Sequence, residues 1–367
     1  MILLNPGPVN VSERVRAALA GPDLCHRESE FYDLQDEVRA RLLGVYGLDP
    51  GSWAAVLLGG SGTAAMEAMI TSLVPRSGRL LVLENGVYGE RMTAIAAGHG
   101  IRCTPLGFDW GHEIDLGRVR ETLVSTPETT HAAVVHHETT TGRLNALGPL
   151  ATLCREHDVD LLIDGVSSFG AEAIAFDHER VAACAGTANK CLHGLPGVSF
   201  VVARRRALAA GCDPPRGAYL DLVRYAREQD RRGTPFTPPI PALHALREAL
   251  AEHAEAGGWT VRHERYARLA ESVRSGLAEM GIGEHLPAEA SSVVLRGYRV
   301  PTDRVSYDAL HDALKERGFV IYAGQQRLSG EVFRISTMGE IGPPDVERLL
   351  SAIGAILSAR NRSAVSP

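Results

Sequence analysis

The chain has 367 residues, 45% hydrophobic and 22% charged, with a formal net charge of -6. That balance suits a folded globular protein and argues against a nucleic-acid binder, which would carry a basic surface. The length allows one large domain and a second, smaller one. Six cysteines form no CxxC pair, which fits a reduced, cytoplasmic protein. The opening MILLNPGPVNV has no charged n-region or long apolar run, so no signal peptide is expected there. No apolar run approaches the roughly 18 residues that a bilayer span needs.

In chain order, AAVLL (54–58), GGSGT and AAMEAMITSLV read as strand, glycine turn and helix. RLLVLEN (79–85) and HAAVVHH (131–137) read as strands, and LATLCREH (150–157) as a helix. VDLLIDG (159–165), AACAG (182–186) and VSFVVAR (198–204) are further strands. Strands that are apolar throughout and alternate with helices predict an α/β fold with a mostly parallel sheet covered on both faces. The proline-rich RRGTPFTPPIP then crosses to long helical patterns at 241–257 and 260–281. SSVVLRGY, YDALHDALKERG, FVIYAG, EVFRIS and DVERLLSAIGAILSAR predict a smaller α+β unit, ending in a polar tail expected to fray.

In such sheets ligands bind at the carboxyl ends of the strands, and four features fall at strand ends or inside a late strand. GGSGTAAMEAM (59–69) is a glycine turn opening a helix, where N–H groups and the helix dipole favour an anion. It is neither GxGxxG nor a Walker loop, and a plain strand–helix turn would look similar. Asp164 ends VDLLID; a carboxylate there needs a partner, either a protonated ring nitrogen or the backbone of a cap. Lys190, in AGTANKCLHGLPG, has small and apolar neighbours and lies 26 residues after Asp164. Desolvation makes such a lysine a nucleophilic amine, although a loop lysine reaching solvent has the same local sequence. A strand-end aspartate and lysine at this spacing suit pyridoxal phosphate, which needs a Schiff-base amine and a carboxylate for its ring nitrogen. Arg334, in EVFRIS, is either a carboxylate clamp or a surface strand arginine.

Tyr88, between two glycines in ENGVYGERM, suits a stacking partner for a flat ring and equally a core tyrosine. His136–His137–Glu138 lacks metal-ligand spacing, and neighbouring strand residues point to opposite faces, so no metal is expected.

Together these segments resemble the class V aminotransferases of pyridoxal-phosphate fold type I, in particular the 2-aminoethylphosphonate:pyruvate aminotransferases. The resemblance is carried, in family order, by LLNPGPVNV, DLCHRESEF, GGSGTAAMEA, NGVYGERM, HHETTTGRLN, DGVSSFG, TANKCLHGLPG, FVIYAG and VFRIS. It implies a mostly parallel seven-stranded sheet in a large domain, 16–240, and a small domain from 1–15 and 241–367. It implies pyridoxal phosphate as cofactor, an amine donor, a keto-acid acceptor and a cytoplasmic homodimer with shared active sites. No nucleic acid or membrane partner is expected. Lys190 would be the Schiff-base lysine and proton shuttle, and Asp164 the partner of the ring nitrogen. Ser61, Gly62 and Thr63 would hold the phosphate, Tyr88 would stack on the ring, and Val166 would cover its other face. Thr140 would touch the hydroxyl edge, Asn189 would line the cofactor beside Lys190, and Thr237 would reach the neighbouring subunit's phosphate. Arg334 would bind the keto-acid carboxylate.

The implied reaction is 2-aminoethylphosphonate plus pyruvate to phosphonoacetaldehyde plus alanine. The alternatives are another small amine or amino acid, as in alanine/glyoxylate exchange, or a lyase on the same fold. Ala323 and Gln325 replace a proline and a lysine of the family's IYPGK, ISTMGE replaces a sequence close to IGNIGE, and His137 replaces a serine. These departures bear on the amine donor. Arg327 and His137 are the candidates for a replacement positive charge.

Overall fold

The computed structural model describes residues 1–363, with side chains through residue 358. The tail expected to fray, 359–367, lies outside the residues with described side chains. The large sheet has seven strands: β1 (Trp53–Gly59), β2 (Arg79–Glu84), β3 (Cys103–Gly107), β4 (Thr129–Val135), β5 (Asp160–Asp164), β6 (Val181–Thr187) and β7 (Val198–Arg204). Their spatial order is β1-β7-β6-β5-β4-β2-β3. All neighbours are parallel except those of β7, which runs antiparallel to both β1 and β6.

The central strands are apolar on both faces because both are covered. Leu81, Leu83, Ala132, Val134, Leu161 and Ile163 enter one core. The alternating residues Leu80, Val82, Ala133, Val135 and Leu162 enter the other. This is the period-two pleat of a strand buried on each side. The expected α/β architecture and mostly parallel sheet are therefore present.

Two details differ from the sequence reading. Strand β3 was not foreseen: CTPLG is half exposed and contains Pro105, a composition tolerated because β3 is an edge strand. The strand expected over 131–137 stops at Val135, and His137–Glu138 pairs instead with Arg143–Leu144 as a small hairpin.

The second unit is a three-stranded antiparallel sheet, β8 (Leu295–Arg299), β9 (Tyr322–Ala323) and β10 (Val332–Ser336), with β10 in the middle. Leu269, Val273 and Leu277 from the helix Gly258–Glu279 join Leu310, Leu314, Leu349 and Ile353 in its core. The N-terminal pair Ile2–Leu3 reaches this unit by pairing in parallel with Phe319–Val320. The helix Ile240–Glu255 places Leu243, Leu246 and Leu250 in a core of the large sheet. No helix among the described residues is long and apolar enough to cross a membrane.

Candidate active site

Strands β5 and β6 are parallel neighbours, with Asp164 opposite Ala185. The chain leaves both at the same end of the sheet, so Asp164 and the turn carrying Lys190 come out side by side. Asp164 is 3% exposed, and its Oδ1 accepts a 2.9 Å hydrogen bond from the Val166 N–H. Its other oxygen accepts no hydrogen bond from the described residues. Burial raises the Asp164 carboxyl above its ordinary value, opposed by that N–H and by the charges of Lys190 and Arg91. Lys190 is half-buried beside the N-terminal segment. A Cβ on Gly7 would stand 3.2 Å from Lys190 Cγ, so this glycine, at φ 114°, lets the lysine stem pass. The Asn189 side-chain oxygen accepts 2.8 Å from Thr187 Oγ1.

The glycine turn after β1 arrives at the same place. The helix Gly62–Leu73 packs under β6 and β7, and its first residue meets Val166. A Cβ on Gly62 would lie 2.6 Å from Val166 Cγ1, which no side chain could occupy without displacement. Ser61 is the N-cap, yet its hydroxyl makes no capping bond, leaving first-turn N–H groups for another acceptor. Thr63 Oγ1 accepts 3.3 Å from Arg91, whose guanidinium also lies 4.6 Å from the centre of the Tyr88 ring.

Tyr88 opens the helix Val87–Gly98, and two buried residues tie this helix to the hairpin loop: Thr140, whose Oγ1 accepts from the Val87 N–H at 3.1 Å, and Glu138. Glu138 Oε2 accepts from the Tyr88 and Gly89 N–H groups at 3.2 and 3.4 Å. Its Oε1 accepts from the Thr140 hydroxyl at 2.6 Å and the Thr140 N–H at 3.1 Å. Gly86 makes the room, since a Cβ there would fall 2.3 Å from Glu138 Cδ. Burial pushes the Glu138 carboxyl up to about 7, against the pull of the Thr140 donors. The sequence reading placed no role on Glu138; its position just past a buried strand, opposite a glycine before a helix, was the available signal.

The far wall comes from the small sheet. Arg334 is fully buried; its Nε and Nη2 donate to the Ala323 carbonyl at 3.0 and 2.7 Å, and Nη1 to the Thr139 carbonyl at 2.8 Å. These bonds bolt the hairpin loop to β9 and still leave an N–H on each terminal nitrogen. Burial lowers its pKa from the ordinary value, with nearby Tyr88, Tyr322 and Glu138 opposing. Gln325 brings its side-chain amide 3.3 Å from Thr140 Oγ1. The Thr140 hydroxyl faces the Gln325 amide oxygen as its longer acceptor and Glu138 as its shorter one.

Among the remaining candidates, His137 does not carry the charge expected of it. His137 is buried, with Nδ1 3.1 Å from the Ser167 carbonyl oxygen, and burial holds it down near about 4. It is neutral at pH 7 and supplies no positive charge. Arg327 is exposed and stacks 4.1 Å from the Trp110 ring. Thr237 is exposed, with its hydroxyl 3.5 Å from His26 Nε2 and no hydrogen bond to the residues around Lys190 in its own chain. His136 pairs with Ser168, and no group of three metal-binding side chains forms among the described residues.

The arrangement fits pyridoxal phosphate. A buried carboxylate with an unused oxygen, a lysine at the next strand end, an uncapped helix N-terminus and a neighbouring aromatic ring are the groups that this cofactor engages. Fold and site together define a pyridoxal-phosphate-dependent enzyme of fold type I.

The family model "Aminotransferase class-V" matches residues 17–341, and the chain belongs to that family. A 2-aminoethylphosphonate–pyruvate transaminase of Syntrophobacter fumaroxidans is 35% identical over 96% of this chain and 95% of the relative. One from Pseudomonas putida is 35% identical over 97% and 96%. Among solved structures, an alanine–glyoxylate aminotransferase from Nostoc superposes with a TM-score of 0.89 at 28% identity, covering 97% of this chain and 95% of the other. An aspartate aminotransferase of subgroup IV from Thermus thermophilus gives 0.88 at 28% identity, covering 98% and 100%. The protein is therefore an aminotransferase that uses pyridoxal phosphate, an amine donor and a keto-acid acceptor.

Proposed function

We propose that the enzyme moves the amino group of 2-aminoethylphosphonate to pyruvate, giving phosphonoacetaldehyde and alanine. The observation that carries the transamination chemistry is the emergence of Asp164 and Lys190 from adjacent parallel strands. The choice of donor is supported by the full-length relatives that carry this activity in their names.

Bound pyridoxal phosphate supplies a conjugated ring that accepts the electron pair left when the donor carbon loses its proton. Lys190 Nζ would hold the cofactor and would carry the proton taken from the donor carbon. Asp164, buried with one N–H donor, would pair with the ring nitrogen and keep it protonated. Ser61, Gly62 and Thr63 hold the phosphate at the helix N-terminus. Tyr88 and Val166 would cover the two ring faces, Thr140 would meet the hydroxyl edge, and Asn189 would line the cofactor beside Lys190. The unused N–H groups of Arg334 form a fork for the carboxylate of pyruvate or alanine. Thr237 of the partner subunit completes the phosphate site in a cytoplasmic homodimer; closed twofold dimers are the commonest assembly.

A second donor, another small amine or amino acid, is favoured by two observations. Gln325 presents a neutral amide to Thr140 beside the Arg334 wall, and His137 is uncharged. The testing experiment is a titration of the purified enzyme with 2-aminoethylphosphonate in the absence of keto acid. The lysine-bound cofactor absorbs at roughly 410–420 nm and its aminated form near about 330 nm. Conversion of the first band to the second, reversed by pyruvate, is the expected result. An unchanged band with this amine, but conversion with alanine, would move the assignment to the second donor. Product formation with no keto acid present would make the enzyme a lyase.

A further inference from the structure

The residues read as the phosphate seat, Ser61, Gly62 and Thr63, offer a dianion only hydroxyl and backbone donors. One cation touches them. Arg91, one turn along the helix that Tyr88 opens, sends Nη1 to Thr63 Oγ1 at 3.3 Å. The same guanidinium lies over the Tyr88 ring at 4.6 Å, so its plane is held by the aromatic face while its edge points at the hydroxyl. No other charged side chain among the described residues hydrogen-bonds to Ser61, Gly62 or Thr63. Arg91 thus bridges the element that opens the seat and the element that carries the aromatic ring, which lie far apart in sequence and meet at the mouth of the site. The fork also has N–H groups to spare: it makes a single hydrogen bond to the protein, and a guanidinium has five donors. Its charge is felt across the site, since it is one of the influences opposing the burial of Asp164.

We propose that Arg91 is the cationic partner of the cofactor's phosphate monoester, held in place by Tyr88 and delivered to the seat through Thr63. The inference rests on the reading of Ser61–Thr63 as the phosphate seat. It separates phosphate recognition from ring recognition within one short helix turn: Tyr88 serves the ring, and Arg91 serves the dianion. A charge-assisted bond to a phosphate is strong, and a planar fork engages it better than a point charge.

The test uses the full-length chain stripped of cofactor and retitrated with pyridoxal phosphate and, separately, with pyridoxal, which has the same ring and no phosphate. For Arg91→Gln the dissociation constant for pyridoxal phosphate should rise about tenfold or more, while that for pyridoxal stays within about twofold of the parent. Arg91→Lys, which keeps the charge and loses the fork, should fall between. Inorganic phosphate should raise the melting temperature of the stripped parent and not that of Arg91→Gln. Equal losses for both ligands would overturn the proposal, because Arg91 would then act only by bracing Tyr88. Unchanged affinity for pyridoxal phosphate would overturn it too. If Arg91→Gln folds poorly, the same comparison on Arg91→Lys decides. A parent chain that takes up no pyridoxal phosphate at all would instead remove the cofactor reading, and this proposal with it.

Discussion

The Asp164–Lys190 side of the site and the Arg334 side are held by different physics. Asp164 and the Lys190 turn leave neighbouring strands of one sheet, and the backbone ladder between β5 and β6 sets their separation. Arg334 stands on a strand of another sheet and meets the hairpin loop through carbonyls of Thr139 and Ala323. The first side is a property of the sheet itself. The second exists only while two units stay docked, and Ala323 and Gln325 lie on it. A scaffold that fixes the proton-moving groups on a continuous ladder can vary its substrate wall without disturbing them.

Substitutions on each side should break this contrast in different ways. Lys190→Ala should abolish both the long-wavelength absorbance and turnover, because no other amine stands at the strand end. Ordinary steady-state turnover in that variant would sink the assignment. Asp164→Asn should keep part of the cofactor binding and lose roughly 10²–10³-fold in kcat, the scale of losing one aimed electrostatic group. An unaltered kcat would take Asp164 out of its role. Arg334→Lys keeps charge and loses the fork. We expect the KM for pyruvate to rise about tenfold or more with a smaller change in kcat, and reduced stability from the freed Thr139 and Ala323 carbonyls. A KM within error of the parent would show that the carboxylate is bound elsewhere.

The smallest effect concerns the joint between the two sides. Glu138 has its carboxyl raised from 4.5 to about 7 by burial. Between those values the folded state holds a proton that the unfolded chain releases, so stability falls as pH rises across that window. The contribution is fully present below the lower value and gone above the upper one. Glu138→Gln removes the titration, and its melting temperature should vary less than the parent's between about pH 4.5 and 7. Parallel melting curves across that range would refute the buried protonated carboxyl.

Much of the cofactor side was legible in the sequence because apolar runs ending in a single polar residue mark buried parallel strands, and LLID and AACAG are such runs. Strand β3 escaped because CTPLG at the sheet edge needs no apolar continuity. The antiparallel direction of β7 also escaped the pattern, since a strand buried on both faces reads alike in either direction. It follows instead from the short connection carrying Lys190, which leaves no room for a crossover helix. Glu138 escaped for a third reason. It works through the N–H groups of Tyr88 and Gly89 and the donors of Thr140, and backbone donors leave no signature in side-chain identity.

By itself the sequence determined the class of fold, the strand ends and the chemical kinds of group placed there, because burial periodicity and residue type are local properties. Tertiary structure alone decided that Arg334 braces the hairpin, that Gln325 reaches Thr140, that His137 is buried neutral and that Arg91 touches Thr63. Each of those contacts joins segments distant in the chain, and distance, burial and the resulting charge state are set only when those segments pack together.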